Sequence, residues 1–350
     1  MKTAAIIKIG RLNDPDADKR GKIDLVDFEL PEMGDEDLKI RVAYCAICGS
    51  DPHVAEGAFG TTVPRLLGHE ISGVIEDLGK NAVKKGFKIG DRVAGNFLHF
   101  CGICYFCQNE QQHFCRSTSR RQAPGMSEFV IWHEAQAYKL PDNVSLRAGC
   151  MLEPLSVAVR AADKIGMKVG QRTVVCGGGP IGLLTLQVLR LQGASNLTLI
   201  EPIAQRRELA LRFGAEHTID PFNEDVAKKA MEITDGLGFD VAVEVSGSPK
   251  GAESLPPITA RGGTILYGAM YPNEYELPLN LFSYLYRGDM TLTGLFLSPY
   301  TFPRAVQLLA HIDLEPFIEK AFPLSDVAEA FDVHMSGAYP KVLIRCNDLD

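Results

Sequence analysis

The sequence predicts an α/β protein of two domains, in which a doubly wound parallel sheet is joined to a mainly β domain. Three observations predict this: the chain length, a glycine-rich turn between a strand and a helix, and a change of pattern near residue 155. A chain of 350 residues with 46% hydrophobic content is too long for one ordinary core and long enough for two. Neither domain therefore needs disulfide bonds for its stability.

The glycine-rich turn lies in the second half of the chain. In "RTVVCGGGPIGLLTLQVLRLQGA" a β-branched run leads into glycines and then into an apolar helical segment. Gly177, Gly179 and Gly182 satisfy GxGxxG, and Pro180 and Ile181 stand between the last two. The first glycine permits the tight turn, the second lets the backbone approach a pyrophosphate, and the third allows close helix packing. The phosphate would lie at the helix N-terminus, where free amides and the helix dipole favour an anion.

The segments after this turn indicate a dinucleotide-binding domain. The strand-like "NLTLIE" ends in Glu201, about twenty residues after the glycines, where an acid can hold the ribose hydroxyls. Strand and helix patterns then alternate, as in the βαβ units of a parallel sheet, over 206–215, 225–236, 240–247, 263–269 and 290–296. The segment "GAESLPPITARGG" should be a crossover helix, but Pro256 and Pro257 require it to be kinked or short.

The region before residue 155 has a different pattern. Short β runs such as "KIRVAYC", "ISGVIEDLG" and "DRVAGNF" are separated by glycines and prolines, which predicts a mainly β domain. Within it, "CGICYFCQNEQQHFC" spaces three cysteines as CxxCxxC, and seven further residues separate them from a fourth cysteine. These four are Cys101, Cys104, Cys107 and Cys115.

The clustered cysteines predict a structural zinc site. A chain with nine cysteines and no export signal is expected to keep them reduced, so a cluster favours metal ligands over disulfides. Disulfides between cysteines so close in sequence would be strained, whereas four thiolates can converge on one tetrahedral Zn²⁺ at about 2.3 Å. Four sulfurs fill the coordination sphere and leave no position for a substrate. Incidental thiols or a redox motif are the alternatives.

A second metal site is suggested by Cys48 in "CGSDPH" and His69 in "GHE". A thiolate, an imidazole and carboxylates can form a mixed zinc site of the kind that keeps an open position for catalysis. Spacing alone does not distinguish this from a structural histidine that is satisfied in the core. The other cysteines are expected to behave mostly as small buried hydrophobes: Cys45, Cys150, Cys176 and Cys346.

Charge and hydropathy argue against two classes of partner. The formal net charge of -8 opposes a nucleic-acid surface, and the longest basic cluster is "SRR" at 119–121. No run reaches the roughly eighteen apolar residues of a membrane span, and Lys8 interrupts the N-terminal apolar stretch before a signal-like region develops. We therefore expect a soluble cytoplasmic protein without nucleic-acid or membrane partners.

In their order and spacing, the motifs resemble those of zinc-containing medium-chain dehydrogenases, from the polyol (sorbitol/L-iditol 2-dehydrogenase-like) branch of the alcohol dehydrogenase superfamily. The matching motifs are "CGSDPH", "GHEISGVIEDLG", "GDRV" at 90–93, the four-cysteine lobe, "LEPLSVAVRA" at 152–161 and "GGGPIG". The resemblance spans nearly the whole chain. It implies a GroES-like, mainly β catalytic domain from 1–155 and 297–350, with its zinc lobe at about 95–118. A Rossmann NAD-binding domain would be inserted at 156–296, before "PKVLIR" returns to the catalytic domain.

The resemblance also implies the residues of a catalytic zinc site. Cys48 and His69 would bind the metal, and Glu70 and Glu153 would face it, one of them directly and the other through water or from further away. With the four-cysteine lobe, the chain would hold one catalytic and one structural zinc ion. The catalytic zinc would lower the pKa of a substrate hydroxyl, so that hydride can pass to the nicotinamide.

A proton relay is implied in the same segment. Ser50 would take the hydroxyl proton and pass it through the cofactor ribose to His53, whose pKa suits exchange with solvent. Pro52 restricts the backbone before His53, which makes the placement of that histidine the weakest link. As an alternative, Ser50 could act as a helix N-cap.

The resemblance favours NAD as the cofactor. Glu201 would repel a 2′-phosphate and bind the free ribose diol. Arg206, beside Arg207, could instead accept a phosphate, stack on the adenine, or lie on a helix face. Three further residues fall in segments that resemble those closing over the nicotinamide: Val245, Gly268 and Phe296.

The implied substrate is a polyol, cyclitol or sugar whose secondary hydroxyl is oxidised to a ketone. Leu297 stands where sorbitol dehydrogenases carry an arginine, which puts sorbitol itself in doubt. Phe59, Phe296 and Tyr300 could line the pocket or belong to the core. Threonine or butanediol dehydrogenase activity is the nearest alternative, and a dinucleotide-binding protein without activity is a more distant one. We expect a homodimer or homotetramer.

Overall fold

The structure is a computed structural model that describes residues 1–118 and 124–349, so the "SRR" cluster at 119–121 lies outside the described residues. The strands are β1 (Lys2–Lys8), β2 (Lys22–Asp27), β3 (Asp37–Ala46), β4 (Arg65–Leu66), β5 (Glu70–Leu78), β6 (Arg92–Gly95), β7 (Phe129–His133), β8 (Ala137–Lys139), β9 (Arg172–Cys176), β10 (Ser195–Ile200), β11 (His217–Ile219), β12 (Phe239–Glu244), β13 (Thr259–Tyr267), β14 (Thr291–Gly294), β15 (Ala321–Pro323) and β16 (Leu343–Arg345).

The α-helices are α1 (Ser50–Ala55), α2 (Tyr105–Gln108), α3 (Leu146–Gly149), α4 (Leu152–Ile165), α5 (Pro180–Leu191), α6 (Ala204–Arg212), α7 (Val226–Ile233), α8 (Pro249–Ile258), α9 (Phe302–Leu308), α10 (Glu315–Ile318) and α11 (Val327–Ser336). A π-helical turn covers Phe282–Tyr286, and short 3-10 helices cover Ala58–Gly60, Ala82–Lys85, Gln112–Phe114, Glu134–Gln136 and Leu324–Asp326. In the part of the chain that the structure describes, we find no helix with the length and apolar character needed to cross a membrane.

The chain divides into two compact units. One comprises Met1–Glu153 with Phe302–Asp350, and the other comprises Pro154–Thr301. The first unit is therefore made from both ends of the chain, and the second is a continuous insertion. The sequence analysis puts the corresponding boundaries at 155 and 297.

The first unit is built on antiparallel strands, as its glycine-punctuated β runs predict. Its larger sheet has the order β15-β16-β3-β5-β6-β8, with β7 also paired to β3, and a smaller sheet has the order β2-β1-β4. Inward-facing β-branched and aromatic side chains, including Ile40, Ile75, Trp132 and Ile344, form the core. β16 pairs antiparallel with β3, so residues near the C-terminus are brought beside the segment that precedes Cys48.

The second unit contains a six-stranded sheet of order β11-β10-β9-β12-β13-β14, and every pair of neighbours is parallel. The chain runs outward from β9 to β11 on one side and then from β12 to β14 on the other. The order thus reverses between β9 and β12, which is the switch point at which such folds bind dinucleotides. The predicted fold class, a doubly wound Rossmann sheet with a GroES-like mainly β domain, is confirmed.

Helix α8 is as short as its prolines require. It holds Pro256 and Pro257 in its last turn and ends at Ile258, and β13 begins at the next residue. Proline cannot donate the backbone hydrogen bond that a longer helix would need at these positions. The crossover from β12 to β13 is nevertheless completed, because Leu255 and Ile258 bury their side chains in the core of the sheet.

Candidate active site

The four cysteines of the lobe converge as a tetrahedral zinc site requires. Their sulfur atoms all lie within 4.8 Å of one another, and the Sγ of Cys115 is 3.4 Å from that of Cys101 and 3.9 Å from that of Cys104. A tetrahedral zinc with bonds of about 2.3 Å separates its sulfurs by about 3.8 Å. Backbone amides near Cys107 and Arg116 lower the pKa of Cys104 to about 6, which favours the thiolate that binds metal. The donor set fits the structural zinc.

A second group of metal-binding side chains forms where β3 and β5 meet. Glu70 is the first residue of β5 and pairs with Ala46 at the end of β3. Cys48 follows β3 and His69 precedes β5, so the strand register brings them together. The ligand atoms of Cys48, His69 and Glu70 lie within 4.8 Å of one another. Sulfur, nitrogen and oxygen donors in this combination fit zinc.

Glycine is required immediately before the histidine. Gly68 has a φ of +97°, and a Cβ there would collide with the backbone nitrogen of Met126 and lie 2.8 Å from the sulfur of Cys45. Only glycine combines this conformation with so close an approach. The turn at Gly68 therefore fixes the direction from which the imidazole of His69 reaches the cluster.

Asp51 supports the cluster, although the sequence analysis did not assign it a role. Its carboxylate accepts a hydrogen bond from the backbone N–H of Cys48 at 2.9 Å and lies 3.8 Å from Nδ1 of His69. Burial raises the pKa of Asp51, while the neighbouring imidazole opposes this shift. Burial lowers the pKa of His69, but the charges of Cys48, Asp51 and Glu153 outweigh it, so the pKa is raised well above its ordinary value. The signal in the sequence was an acid three residues after Cys48.

Lys341 is a second residue that sequence reasoning missed. Its side chain is buried, and its ammonium group lies 2.7 Å from Oε1 and 2.6 Å from Oε2 of Glu70. The nearby carboxylates of Glu70 and Glu153, with Cys48, hold the pKa of Lys341 above its usual value despite burial. The only signal in the sequence was a lysine directly before the apolar run "VLI", which leads into the last strand.

Glu153 lies in the first turn of α4 and is also buried. The pKa of Glu153 is raised to about 7, because burial and the carboxylate of Glu70 raise it more than the imidazole of His69 lowers it. Among the described residues, the group of ligand atoms within 4.8 Å of one another includes Glu70 and does not include Glu153. The carboxyl groups of both acids are therefore close to His69. Glu70 is the better placed of the two to bind a metal ion together with Cys48 and His69.

The predicted relay residues lie on α1, directly after Cys48. Ser50 is the first residue of this helix, its N–H lies 3.5 Å from the sulfur of Cys48, and the N-cap position belongs to Gly49. The N-cap alternative for Ser50 therefore does not apply. His53 has a side chain that is 54% exposed, with Glu56 at 4.0 Å. An exposed imidazole can exchange protons with solvent, and the relay stays a prediction.

The glycine turn of the second unit has the features of a pyrophosphate site. α5 begins at Pro180, after Gly179 as N-cap, and no side chain caps its first amides. A Cβ on Gly179 would meet nothing within 4 Å, whereas one on Gly182 would collide with the carbonyl oxygen of Gly177. The second glycine thus leaves space beside the helix N-terminus, and the third packs the helix against the turn. Ile181, in the first turn of α5, is half-buried.

Glu201 follows β10, where it is buried and bound to backbone amides. Its Oε2 accepts from the N–H of Gly178 at 2.6 Å, and its Oε1 accepts from the N–H of Ile203 at 2.9 Å. Arg207 donates to the carbonyl of Glu201 and pairs with Asp220 at 2.9 Å. The Nε of Arg206 is buried and makes no hydrogen bond to the part of the chain that is described.

The remaining predicted cofactor residues follow the carboxyl ends of neighbouring parallel strands. Val245 comes directly after β12 and donates to the carbonyl of Cys176 at 2.9 Å. Gly268 comes directly after β13 and donates to the carbonyl of Glu244 at 2.8 Å. Phe296 stands two residues after β14 and is 57% exposed. All three therefore lie at the carboxyl ends of the strands, on the same side of the sheet as the glycine turn.

Two of the predicted pocket residues, Phe59 and Tyr300, have a positive φ, as does Leu297. Phe59 has a φ of 59° and is 70% exposed, while Leu297 and Tyr300 have φ values of 54° and 63°. Positive φ is uncommon for residues with a side chain and is found preferentially at functional sites. The high exposure of Phe59 argues against its being a core residue.

Comparison with known proteins gives two family matches and full-length relatives. Residues 34–142 match the family described as "Alcohol dehydrogenase GroES-like domain", and residues 180–311 match "Zinc-binding dehydrogenase". The chain is 34% identical to D-arabitol-phosphate dehydrogenase of Enterococcus avium, with 92% of this chain and 93% of the relative covered. It is 32% identical to sorbitol dehydrogenase of Rattus norvegicus (94% and 94% covered) and to L-threonine 3-dehydrogenase of Pyrococcus abyssi (91% and 94% covered).

Solved structures match over the same length. A zinc-binding dehydrogenase from Clostridium scindens superposes with a TM-score of 0.91 at 32% identity, and 99% of both chains is covered. A zinc-binding dehydrogenase from Sinorhizobium meliloti, bound to NADP, superposes with a TM-score of 0.87 at 28% identity, over 98% of this chain and 99% of the other.

Proposed function

The chain belongs to the zinc-containing medium-chain alcohol dehydrogenase superfamily, and on this basis we propose that it oxidises a secondary hydroxyl of a polyol, cyclitol or sugar to a ketone, with NAD as hydride acceptor. The observation that carries the proposal is the convergence of Cys48, His69 and Glu70, in a chain that also contains the glycine turn at 177–182. A zinc hydrolase would have no use for that turn.

The side chains of the cluster have distinct roles in this proposal. Cys48 and His69 would hold the zinc ion, which would supply the Lewis acidity that makes a substrate hydroxyl easier to deprotonate. Asp51 orients the cluster through the N–H of Cys48 and through its proximity to His69. Glu70 supplies the third donor, and its charge is balanced by Lys341. Glu153 contributes a buried carboxyl group near His69.

The proton leaves by way of α1. Ser50 would accept the hydroxyl proton of the substrate, and His53, on the same helix, would deliver it to solvent. The 54% exposure of the His53 side chain supports its contact with water. Hydride transfer itself uses the chemistry of the nicotinamide, which the protein has only to orient.

NAD is favoured over NADP because Glu201 follows β10 at the place where an acid binds the ribose diol and repels a 2′-phosphate. NADP remains the second candidate. Arg206 has a buried Nε without a hydrogen-bond partner among the described residues, and a relative with 28% identity binds NADP. A guanidinium in this position could form bidentate hydrogen bonds with a phosphate.

A polyol-type substrate is favoured by the names of two relatives, which act on arabitol phosphate and sorbitol. Leu297, in place of the expected arginine, gives this chain a less polar segment than a sorbitol dehydrogenase has. Threonine or a butanediol is the alternative substrate, because a relative with 32% identity is a threonine dehydrogenase. The presence of Cys48 and His69 argues against a binding protein without activity.

We also propose a homodimer in the cytoplasm. All nine cysteines lie in the described part of the chain, and no disulfide bond joins any two of them, which suits a reducing compartment. Strand β14 is the last strand of its sheet, and the π-helical turn that precedes it in the chain exposes Phe282 (61%) and Tyr286 (81%), whose rings stack at 5.7 Å. An edge strand and exposed aromatic side chains in the same part of the chain suit pairing with a second copy. Light scattering of the wild type and of Tyr286→Glu tests this, because the variant should be monomeric.

The activity is tested by a substrate screen. Polyols, cyclitols, diols and threonine are each incubated with NAD and with NADP, and the absorbance of the reduced nicotinamide is followed. We expect the highest kcat/KM with a polyol or cyclitol and NAD. Cys48→Ala is the control for dependence on the metal cluster and should be inactive. No response from any secondary alcohol in the wild type would contradict the proposal.

A further inference from the structure

We propose that Glu244 and Tyr271 form a latch that holds the segment after β13 against the glycine turn, and that this latch sets how long a dinucleotide stays bound. The latch consists of the Glu244 carboxylate, the Tyr271 hydroxyl and the backbone and side chain of Ser246. The inference rests on the proposed dinucleotide cofactor. It adds positioning residues that lie outside the glycine motif and do not contact the ligand themselves.

Glu244 is the centre of the latch. It is the last residue of β12, and its side chain is completely buried. Its Oε1 accepts hydrogen bonds from the N–H of Ser246, at 2.9 Å, and from the Ser246 hydroxyl. Its Oε2 accepts a hydrogen bond from the hydroxyl of Tyr271. A carboxylate so deeply buried needs hydrogen-bond donors around it. The loss of one donor therefore destabilises this arrangement of the two segments strongly.

Ser246 connects this carboxylate to the glycine turn. A Cβ placed on Gly177 would lie 2.7 Å from the nitrogen, 2.8 Å from the Cα and 2.9 Å from the Cβ of Ser246. The first glycine of the motif is therefore packed directly against the residue that Glu244 holds. Val245, between them, donates to the carbonyl of Cys176 at 2.9 Å, which fixes the same segment to β9.

Tyr271 connects the carboxylate to the segment after β13. This segment is anchored at its start, where Gly268 donates to the carbonyl of Glu244 at 2.8 Å. Three residues further on, the Tyr271 hydroxyl returns to the side chain of the same glutamate. Burial and Glu244 raise the pKa of Tyr271, so its hydroxyl stays protonated and remains a donor across the physiological range.

The position of the latch relates it to cofactor binding. β9, β12 and β13 are parallel neighbours, so the segments that follow their carboxyl ends lie on the same side of the sheet. These segments are the glycine turn, Val245–Gly247 and Gly268–Tyr271. The same side includes the switch point between β9 and β12, where a dinucleotide is bound in such folds. If the segment after β13 is already ordered, binding costs less conformational entropy. If it is released, the cofactor loses a preformed wall and dissociates faster.

The test compares two tyrosines that lie close together. Tyr271→Phe removes the hydroxyl that reaches Glu244. Tyr275→Phe is the matched control, because its ring lies 5.7 Å from that of Tyr271 and its hydroxyl reaches Glu253 at 3.2 Å and the Pro249 carbonyl at 3.3 Å. NADH and NADPH are titrated by fluorescence, and dissociation is followed by stopped flow. For Tyr271→Phe we expect a Kd raised about fivefold to tenfold, mostly through faster dissociation, whereas Tyr275→Phe should stay within about twofold of the wild type.

Stability is measured on the same samples. A Tyr271→Phe protein that melts earlier but keeps the wild-type Kd and dissociation rate would show a structural role only and would overturn the inference. Glu244→Gln is the second variant. Its amide has the shape of the carboxylate but only one oxygen, so it cannot accept hydrogen bonds from both Ser246 and Tyr271 as the carboxylate does. The dinucleotide should therefore also dissociate faster from this variant. If the wild type binds neither NADH nor NADPH, the proposed function fails together with the inference. If the wild type binds the dinucleotide and Tyr271→Phe has the same Kd and dissociation rate, the latch alone is overturned.

Discussion

Lys341 and Glu70 form a buried ion pair at the candidate metal cluster. The Nζ of Lys341 lies 2.7 Å from Oε1 and 2.6 Å from Oε2 of Glu70, and the two side chains are 2% and 1% exposed. Glu70 directly follows His69, and Lys341 lies two residues before β16. The pair therefore links the C-terminal segment to the cluster.

Replacing Lys341 by Met should destabilise the protein strongly. In the metal-free protein the substitution leaves the carboxylate of Glu70 buried without a counter-charge, and we expect a loss of about 3–5 kcal/mol in the free energy of unfolding. Lys2→Met is the control, because Lys2 pairs with Asp27 at a similar distance, 2.9 Å, but both side chains are at least 53% exposed. Its effect should be below about 1 kcal/mol. Urea unfolding curves measure both values, and equal losses would contradict the prediction.

The features that the sequence predicted correctly are local in the chain. The zinc lobe depends on four cysteines within fifteen residues, and the glycine turn depends on six residues, 177–182, where a strand leads into a helix. In both cases the spacing itself restricts the geometry. The two domain types were also predictable, because the repeat of apolar residues differs between antiparallel and βαβ segments.

The residues that were missed depend on contacts that are distant in sequence. Lys341 is 271 residues from Glu70, and its role appears only when β16 pairs with β3. Glu244 and Tyr271 meet because β12 and β13 are neighbours in the sheet, which the alternation of elements does not specify. Leu297 and Tyr300 adopt positive φ, which local propensity disfavours for both residue types.

Two glycines of the turn should respond differently to alanine. Gly182→Ala places a methyl group against the carbonyl oxygen of Gly177 and should lower both the melting temperature and cofactor binding. Gly179→Ala meets open space and should fold normally, but its methyl group should obstruct the pyrophosphate. We expect the Gly179 variant to bind NADH at least about tenfold more weakly, with little change in melting temperature. Normal binding by Gly179→Ala would contradict the assignment of this turn.

Asp240 should make a contribution to stability that depends on pH. Arg172 binds its carboxylate at two points, with Nε at 2.9 Å and a terminal guanidinium nitrogen at 2.7 Å, and this lowers the pKa of Asp240. Because the folded pKa is below the unfolded value, the stabilisation is complete above the unfolded pKa of about 4 and is lost as the pH falls through the folded pKa.

The variant Asp240→Asn should therefore lose about 1–2 kcal/mol at pH 7 and progressively less as the pH falls below about 4. Solvent screens this ion pair in part, because both side chains are partly exposed. Asp24→Asn is the control, since its pair with Lys22 is at least 51% exposed and should contribute less than about 1 kcal/mol. Urea unfolding at several pH values measures the difference. A loss that stays constant from neutral to acidic pH would contradict the prediction.

The two zinc sites should release their metal at different rates. The four thiolates of the lobe would give one zinc ion a complete set of protein ligands, whereas Cys48, His69 and Glu70 would offer three, so a chelator should remove the second zinc ion more easily. Treatment of the wild type with a chelator should therefore give a fast and a slow phase, about one zinc ion each. Cys48→Ser should lack the fast phase and Cys107→Ser the slow one, while Cys346→Ser, outside both groups, should keep both. Metal analysis of the released fractions measures this, and loss of the same phase in the first two variants would mean that their thiols serve one site.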